Sequence, residues 1–373
     1  VIAPPPPPVV ADAATVFGEV AVRVGPRTDV LEMVVDGRVR VRLRLPPGPR
    51  RVSAPLPVGE HVVRARARGD GGVGMSPPAH LWVLPRSGAR AGRIPGFVDA
   101  RLQGDVAGLV REMPAVSGVY VQHLVTGCGA AVNAGARFPA ASTLKAAILI
   151  EAVRRASGRP SPSTGRVLDQ MIVESSDRAA NAMLGTLGTG GASGPEAVTA
   201  TLRAMGLAES LVRRPYIIED ALGRRRALTI DVTAQPALYT NFISTPFELA
   251  RILVAIHRAS LGRGALSRLG VSARAARVEL MPRLLSVRDA SKIVAGVPAG
   301  VPVMHKTGYT EEVKHDAGIV YLRKGPVVVV AMSWAAGGVG DATGDRFIAE
   351  VTRAAARRLG GGGRCGGPTL RTR

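Results

Sequence analysis

Hydrophobic and polar positions change rhythm along the chain of 373 residues. Between residues 15 and 85 the period is two. Val39, Val41, Leu43 and Leu45 alternate with Arg38, Arg40, Arg42 and Arg44, the pattern of a half-buried strand with a charged outer face. Asp36-Gly37, Pro46-Pro47-Gly48 and Gly69-Asp70-Gly71-Gly72 punctuate the stretch as turns. Short strands closed by Gly and Pro turns predict a small β-sandwich over residues 15–85. Before it, residues 1–14 carry the run Pro4 to Pro8 and read as a stiff, extended tether. Residues 86–96, rich in Gly, Pro and Arg, read as a linker.

From Phe97 the rhythm becomes mixed. A helix is predicted to about Met113, then strands at Gly118 to Val125 and Ala130 to Asn133. Ser142 opens a helix whose apolar positions Leu144, Ile148 and Leu149 recur at helical spacing, with no Gly or Pro before Gly158. Further helices are predicted from Glu196 to Met205 and from Pro246 to Ser260. Three strands follow, Val301 to Lys306, Asp316 to Leu322 and Val327 to Trp334, and then a helix from Arg346 to Leu359. Strands at both ends with helices between predict one antiparallel sheet completed by both ends of residues 97–360, flanked by helices. Residues 361–373 read as a Gly-rich tail.

Hydrophobic residues make up 46% of the chain, enough for a sizeable core. Aromatics are only 3%, so that core is built mainly from Ala, Val and Leu. The net charge of +21 admits nucleic acid, an anionic membrane face or an anionic cell wall as partner. The arginines are scattered, however, and no dense basic run is interleaved with aromatics, which argues against nucleic acid. No apolar run reaches the length of a membrane span, and no signal peptide is visible in a sequence that starts at Val1. The two cysteines, Cys128 and Cys365, form no metal-ligand motif, and their pairing is left open.

Candidate chemistry starts at Ser142. It sits in the first turn of its helix, and Lys145 lies one turn later on the same face. A serine hydroxyl needs a base beside it. Lysine can be that base when its neutral form is favoured, and arginine cannot. In a chain that uses Arg almost everywhere, the lysines are only Lys145, Lys292, Lys306, Lys314 and Lys324, so a Lys at this spacing is informative. Ser176-Asp177-Arg178 and Lys306-Thr307-Gly308 follow in order downstream. Ser-x-x-Lys, Ser-Asp and Lys-Thr-Gly together form the motif set of penicillin-recognising serine enzymes.

Residues 97–360 resemble the class A β-lactamase family of those enzymes. The resemblance rests on Phe138-Pro139-Ala140-Ala141-Ser142, Ser175-Ser176-Asp177-Arg178-Ala179-Ala180-Asn181, Ser244-Thr245-Pro246, His305-Lys306-Thr307-Gly308 and His315-Asp316-Ala317-Gly318-Ile319-Val320-Tyr321. The segment from Leu56 to Ala67 likewise resembles bacterial immunoglobulin-like modules. The family resemblance implies an α/β (α+β) fold with the site between sheet and helices, and no cofactor or metal. It implies a serine β-lactamase-like hydrolase, extracytoplasmic, with a β-lactam or peptidoglycan-peptide substrate and cell-wall contact through the N-terminal module. A D-Ala-D-Ala-type peptidase and a non-turnover sensor are the alternatives.

Roles carried over by the resemblance make Ser142 the nucleophile, Lys145 its base and Ser176 the relay to the leaving nitrogen. Lys306 holds Ser176 and, with Thr307, attracts the substrate carboxylate. The backbone N–H groups of Ser142 and Tyr309, beside Gly308, form the oxyanion hole. Asp177 and Asn181 are expected to tie the loop. Three departures stand out. Arg178 occupies the family's Asn position in this reading and either lines the substrate site beside Lys145 or points outward. The interval from Ser142 to Ser176 is short. Tyr216 takes the place of the glutamate that activates the deacylating water, with Glu219 as a substitute candidate.

Overall fold

The computed structural model describes residues 3–11, 14–90, 96–188, 190–216, 241–361, 365 and 368–370. Near Arg90 the chain divides into two compact units. No helix among the described residues is long and apolar enough to cross a membrane.

The first unit is all β. Its strands are β1 (Val9–Val10), β2 (Thr15–Phe17), β3 (Glu19–Val24), β4 (Val30–Val35), β5 (Arg38–Arg44), β6 (Arg50–Pro55), β7 (Gly59–Gly69), β8 (Gly72–Met75) and β9 (Ala79–Leu84). They form a sheet β1-β3-β6 and a sheet β2-β9-β7-β4-β5, with β8 paired to β7. The period-two pattern puts Val20, Val22, Leu31, Met33, Val63 and Ala65 into a shared core. Asp36 and Gly37 both take positive φ, 50° and 79°, as a tight hairpin between β4 and β5 requires. The expected tether is corrected. Pro5 and Pro8 are buried, and β1 pairs with β3 through Val9↔Arg23 and Val10↔Val22. Gly74 leaves room for this stretch, since a Cβ there would lie 2.3 Å from the Pro5 carbonyl oxygen.

The second unit is built on a six-stranded sheet. In spatial order it contains β10 (Phe97–Val98), β12 (Cys128–Val132), β11 (Val116–His123), β18 (Gly325–Trp334), β17 (Val313–Leu322) and β16 (Val303–Tyr309). The α/β fold expected from the sequence is present, with strands from both ends of the unit joined by the β11–β18 pairing. Helix α1 (Ala100–Glu112) and the C-terminal helix Asp341–Leu359 pack on each other and on the sheet. Between the sheet's two halves in sequence come α2 (Lys145–Arg155), α3 (Pro162–Ile172), α4 (Asp177–Leu187), α5 (Gly194–Ala204) and α6 (Pro246–Ala259). Phe247 of α6 meets Tyr120 of β11 edge-on, with ring centres 5.3 Å apart. A small sheet of β13 (Phe138–Pro139), β15 (Phe242–Ser244) and β14 (Leu211–Val212) leads into the turn that carries Ser142.

The end of the chain is tied back to the sheet. Cys128 and Cys365 form a disulfide across 237 residues of sequence. Thr369 bridges Phe97, and the Val98 and Leu370 N–H groups bond the Pro368 and Gly96 carbonyls at 2.7 and 2.8 Å. The expected free tail thus adds backbone pairing to the sheet edge at β10. A cross-link closing so long a loop restricts the unfolded chain strongly. Cys128→Ser and Cys365→Ser should each lower stability by about 2–5 kcal/mol, read as a lower urea midpoint that reducing agent reproduces in the native protein.

Candidate active site

The turn that carries Ser142 is fixed from below and from the side. Strand β13 pairs Phe138 with Ser244 and Pro139 with Ile243, and the Ala140 N–H donates to the Phe242 carbonyl at 2.9 Å. Ala141 then takes a φ of +45°, a left-handed conformation that costs an L-residue about 1–2 kcal/mol. It directs the chain into a 3₁₀ turn, Ala141–Leu144, that runs on as α2. Gly308 of β16 packs directly against this turn. A Cβ at Gly308 would stand 2.9 Å from the Ala140 oxygen and 3.0 Å from the Thr143 nitrogen. Only glycine lets strand and turn approach that closely.

Lys145 is fully buried. Its Nζ lies 2.8 Å from Ser142 Oγ, 2.5 Å from the Ser175 carbonyl oxygen and 2.5 Å from Asp177 Oδ1. Burial pulls its pKa down, and the Asp177 carboxylate opposes that shift. Lys306, also buried, donates to Ser175 Oγ at 2.9 Å. Burial and the charge of Lys145 bring Lys306 down to about 7, against the pull of Asp316, Asp289 and Asp177. Ser175 Oγ is also 3.4 Å from Lys145 Nζ. One serine hydroxyl therefore lies between the two lysines.

That serine is Ser175. The sequence expectation placed Ser176 there, and the geometry corrects it by one residue. Ser176 Oγ accepts the Ala179 N–H at 3.2 Å as the N-cap of α4. Ser175 has a φ of +59°, and the turn aims its hydroxyl at the lysines. The shift also moves Asp177 from a loop tie into contact with Lys145. Arg178, expected to line the substrate site or point outward, is exposed on α4. Thr307 is buried beside Lys306, and Tyr309 is 58% exposed at the end of β16.

Asn181 ties the loop as expected. Its amide accepts the Tyr216 N–H at 2.6 Å and donates to the Tyr216 carbonyl at 2.8 Å. This two-way clamp sets the Tyr216 ring 4.7 Å from Lys145 Nζ and stacks it on Phe242 at 3.9 Å. The phenol donates to the Ala141 carbonyl at 3.3 Å. Burial, with Asp177 nearby, raises its pKa well above the usual value, so it stays protonated. Glu219 lies outside the described residues.

Residues 101–161 and 159–359 match the model of the β-lactamase enzyme family. The chain belongs to that family. No curated protein matches it by sequence. Among solved structures it is similar to a PBP-A mutant captured as an acyl-enzyme complex with penicillin G. That match has 23% identity and a TM-score of 0.56 over 72% of this chain and 99% of PBP-A. A variant of the reconstructed last common ancestor of Gram-negative class A β-lactamases gives 24% and 0.56, over 71% of this chain and all of the other. A β-lactamase from Streptosporangium roseum gives 21% and 0.56, over 70% and 99%. These likenesses show the fold this β-lactamase-family chain shares with them.

A buried histidine holds the Ser142 turn to the sheet. His315 Nε2 lies 2.7 Å from the Pro139 carbonyl oxygen, while Nδ1 lies 2.8 Å from the Lys314 carbonyl oxygen and 3.1 Å from the Ser333 nitrogen. Burial pushes the ring's pKa down to about 4. Its unfolded value is about 6.5, so between these limits the unfolded chain takes up a proton that the native protein refuses. The His315 contribution to stability should be flat above pH ~6.5 and fall toward pH ~4, by up to about 3 kcal/mol. His123, lowered by burial, adds to the same slope. Urea titrations across this range should show it in the native protein, with a shallower slope in His315→Gln.

Proposed function

We propose that this protein is an acyl-serine enzyme of the class A β-lactamase type, acting on a β-lactam or related amide. The observation that carries the reading is the convergence of Lys145, Ser175 and Lys306 beside Ser142. Neutral Lys145 donates its two N–H bonds to the Ser175 carbonyl and Asp177 and turns its lone pair to the Ser142 hydroxyl. Ser142 Oγ then adds to the carbonyl carbon as its proton passes to Lys145. The backbone N–H groups of Ser142 and Tyr309 receive the oxyanion. As the carbon–nitrogen bond breaks, Ser175 gives its proton to the leaving nitrogen and is reprotonated from the lysine side. Lys306 and Thr307 attract the substrate carboxylate.

Tyr216 favours a second reading of the same site. Deacylation needs a base for water, and a protonated phenol stands where the carboxylate is expected. A long-lived acyl-enzyme suits a D-Ala-D-Ala-type cell-wall peptidase or a β-lactam sensor better than a rapid hydrolase. The PBP-A similarity points the same way. The disulfide suits an oxidising, extracytoplasmic compartment, where the immunoglobulin-like first unit would contact the wall.

Three variants separate the roles, each followed by acylation with a fluorescent penicillin. Ser175→Ala should acylate about a hundred- to ten-thousand-fold more slowly. Ser176→Ala should acylate normally and lose only about 1 kcal/mol of stability as a cap. Tyr216→Glu should release the acyl group about a hundred-fold faster or more. Slow acylation in Ser176→Ala with normal rates in Ser175→Ala would reverse the assignment.

A further inference from the structure

The outer face of the larger sheet in the first unit carries a charge pattern that catalysis does not use. Cross-strand register places Arg42 and Arg44 of β5 and Arg64, Arg66 and Arg68 of β7 on either side of β4, on one face. Glu32 of β4 lies among them, and Glu60 stands on the same face at the far end of β7. The Glu32 side chain is fully buried, bonded by Arg42 Nε at 2.9 Å, Arg66 Nε at 2.6 Å and Arg68 Nε at 2.8 Å. Burial alone would raise the Glu32 carboxyl, yet the three arginines hold it at about 2.

Two carboxylates, Glu32 and Glu60, cannot neutralise five guanidinium groups, so the face keeps a positive excess. The arginines bonded to Glu32 are also oriented. Their Nε atoms face the carboxylate, while the Arg42 and Arg68 side chains remain 66% and 46% exposed. Pre-orientation lowers the entropy lost when a flexible cation meets an anion, and guanidinium is the side chain best matched to phosphate. Arginines two residues apart on a strand repeat at roughly 6.6–6.8 Å. This is a ladder for regularly spaced anions along a linear polymer.

We propose that this arginine face binds a polyol phosphodiester polymer, its phosphates running along β5 and β7. A glycerol-phosphate repeat spans about six backbone bonds, as two extended residues do. Nucleic acid has a similar repeat, but single strands are held by stacking on aromatic rings. The uncharged side chains beside Arg66 and Arg68 on this face are instead Met75 and Val73 of β8. A membrane surface fits less well too, because the face's tryptophan, Trp82 of β9, lies opposite Glu60 at the far end, away from Arg42, Arg44, Arg66 and Arg68. The disulfide in the second unit places the chain where an extracytoplasmic polymer is available.

The test uses the full-length protein and a fluorescent poly(glycerol phosphate) oligomer, with binding followed by anisotropy over a salt series. The native protein should bind saturably and more weakly as salt rises. Arg44→Gln/Arg64→Gln leaves the Glu32 cluster intact. It should cost about tenfold in affinity and flatten the salt slope by about two. Arg23→Gln/Arg51→Gln removes the same charge from the other sheet and should bind like the native protein. Thermal melts and penicillin acylation should be unchanged in both. The proposal is overturned by absent binding or by equal losses in the two variants. Tighter binding to single-stranded DNA of matched charge, or to anionic phospholipid vesicles, would also overturn it.

Discussion

Burying a lysine is costly unless every N–H finds an acceptor, and the site of this protein is organised around meeting that condition for Lys145. Ser142, the Ser175 carbonyl and Asp177 lie within 2.8 Å of its nitrogen. Two separate pieces of chain must therefore arrive together: the turn before α2 and the turn that runs from Ser175 into α4. Tyr216 closes the fourth side with its ring. The neutral amine and the ammonium can both be accommodated, because the bond to Ser142 can run in either direction. A second lysine, Lys306, shares Ser175 and is lowered to about 7 in part by the first. The two buried lysines thus share one hydroxyl, Ser175 Oγ, which joins them in a single hydrogen-bonded cluster.

The backbone around this cluster is strained where the chemistry needs it. Ala141 and Ser175, both with left-handed φ, precede the nucleophile and the α4 cap. Such conformations persist when surrounding contacts over-determine them. Here the contacts are the His315 bond to Pro139, the strand pairing of β13 with β15 and the close seat of Gly308. The sheet thus holds the Ser142 turn in place through a histidine and a glycine.

Much of this was legible in the sequence. The period-two stretch gave the β-rich first unit. The helices around Ser142 and after Pro246, and the three closing strands, lie within a few residues of their expected places. Lys145 stood out because the chain otherwise prefers arginine. The offset between Ser175 and Ser176 was legible in principle: a Ser followed by Asp at the start of a helix is an N-cap signal, and a hydroxyl bound to a cap cannot face two lysines. Motif matching overrode that signal. The fate of Pro4 to Pro8 and of the chain's end could not be read, since both depend on long-range pairing that local composition does not encode. Asn181 was legible as a loop tie, but its partner Tyr216, 35 residues away, was not.

The central claim is that this cluster acylates readily and deacylates poorly. Intact-protein mass spectrometry of the native chain over time with penicillin G tests it most directly. The account expects one stoichiometric penicilloyl adduct, mapped to the Ser142 peptide, that outlasts free penicillin by hours. An adduct that never forms, forms on another residue, or vanishes within seconds while free drug is hydrolysed would contradict it.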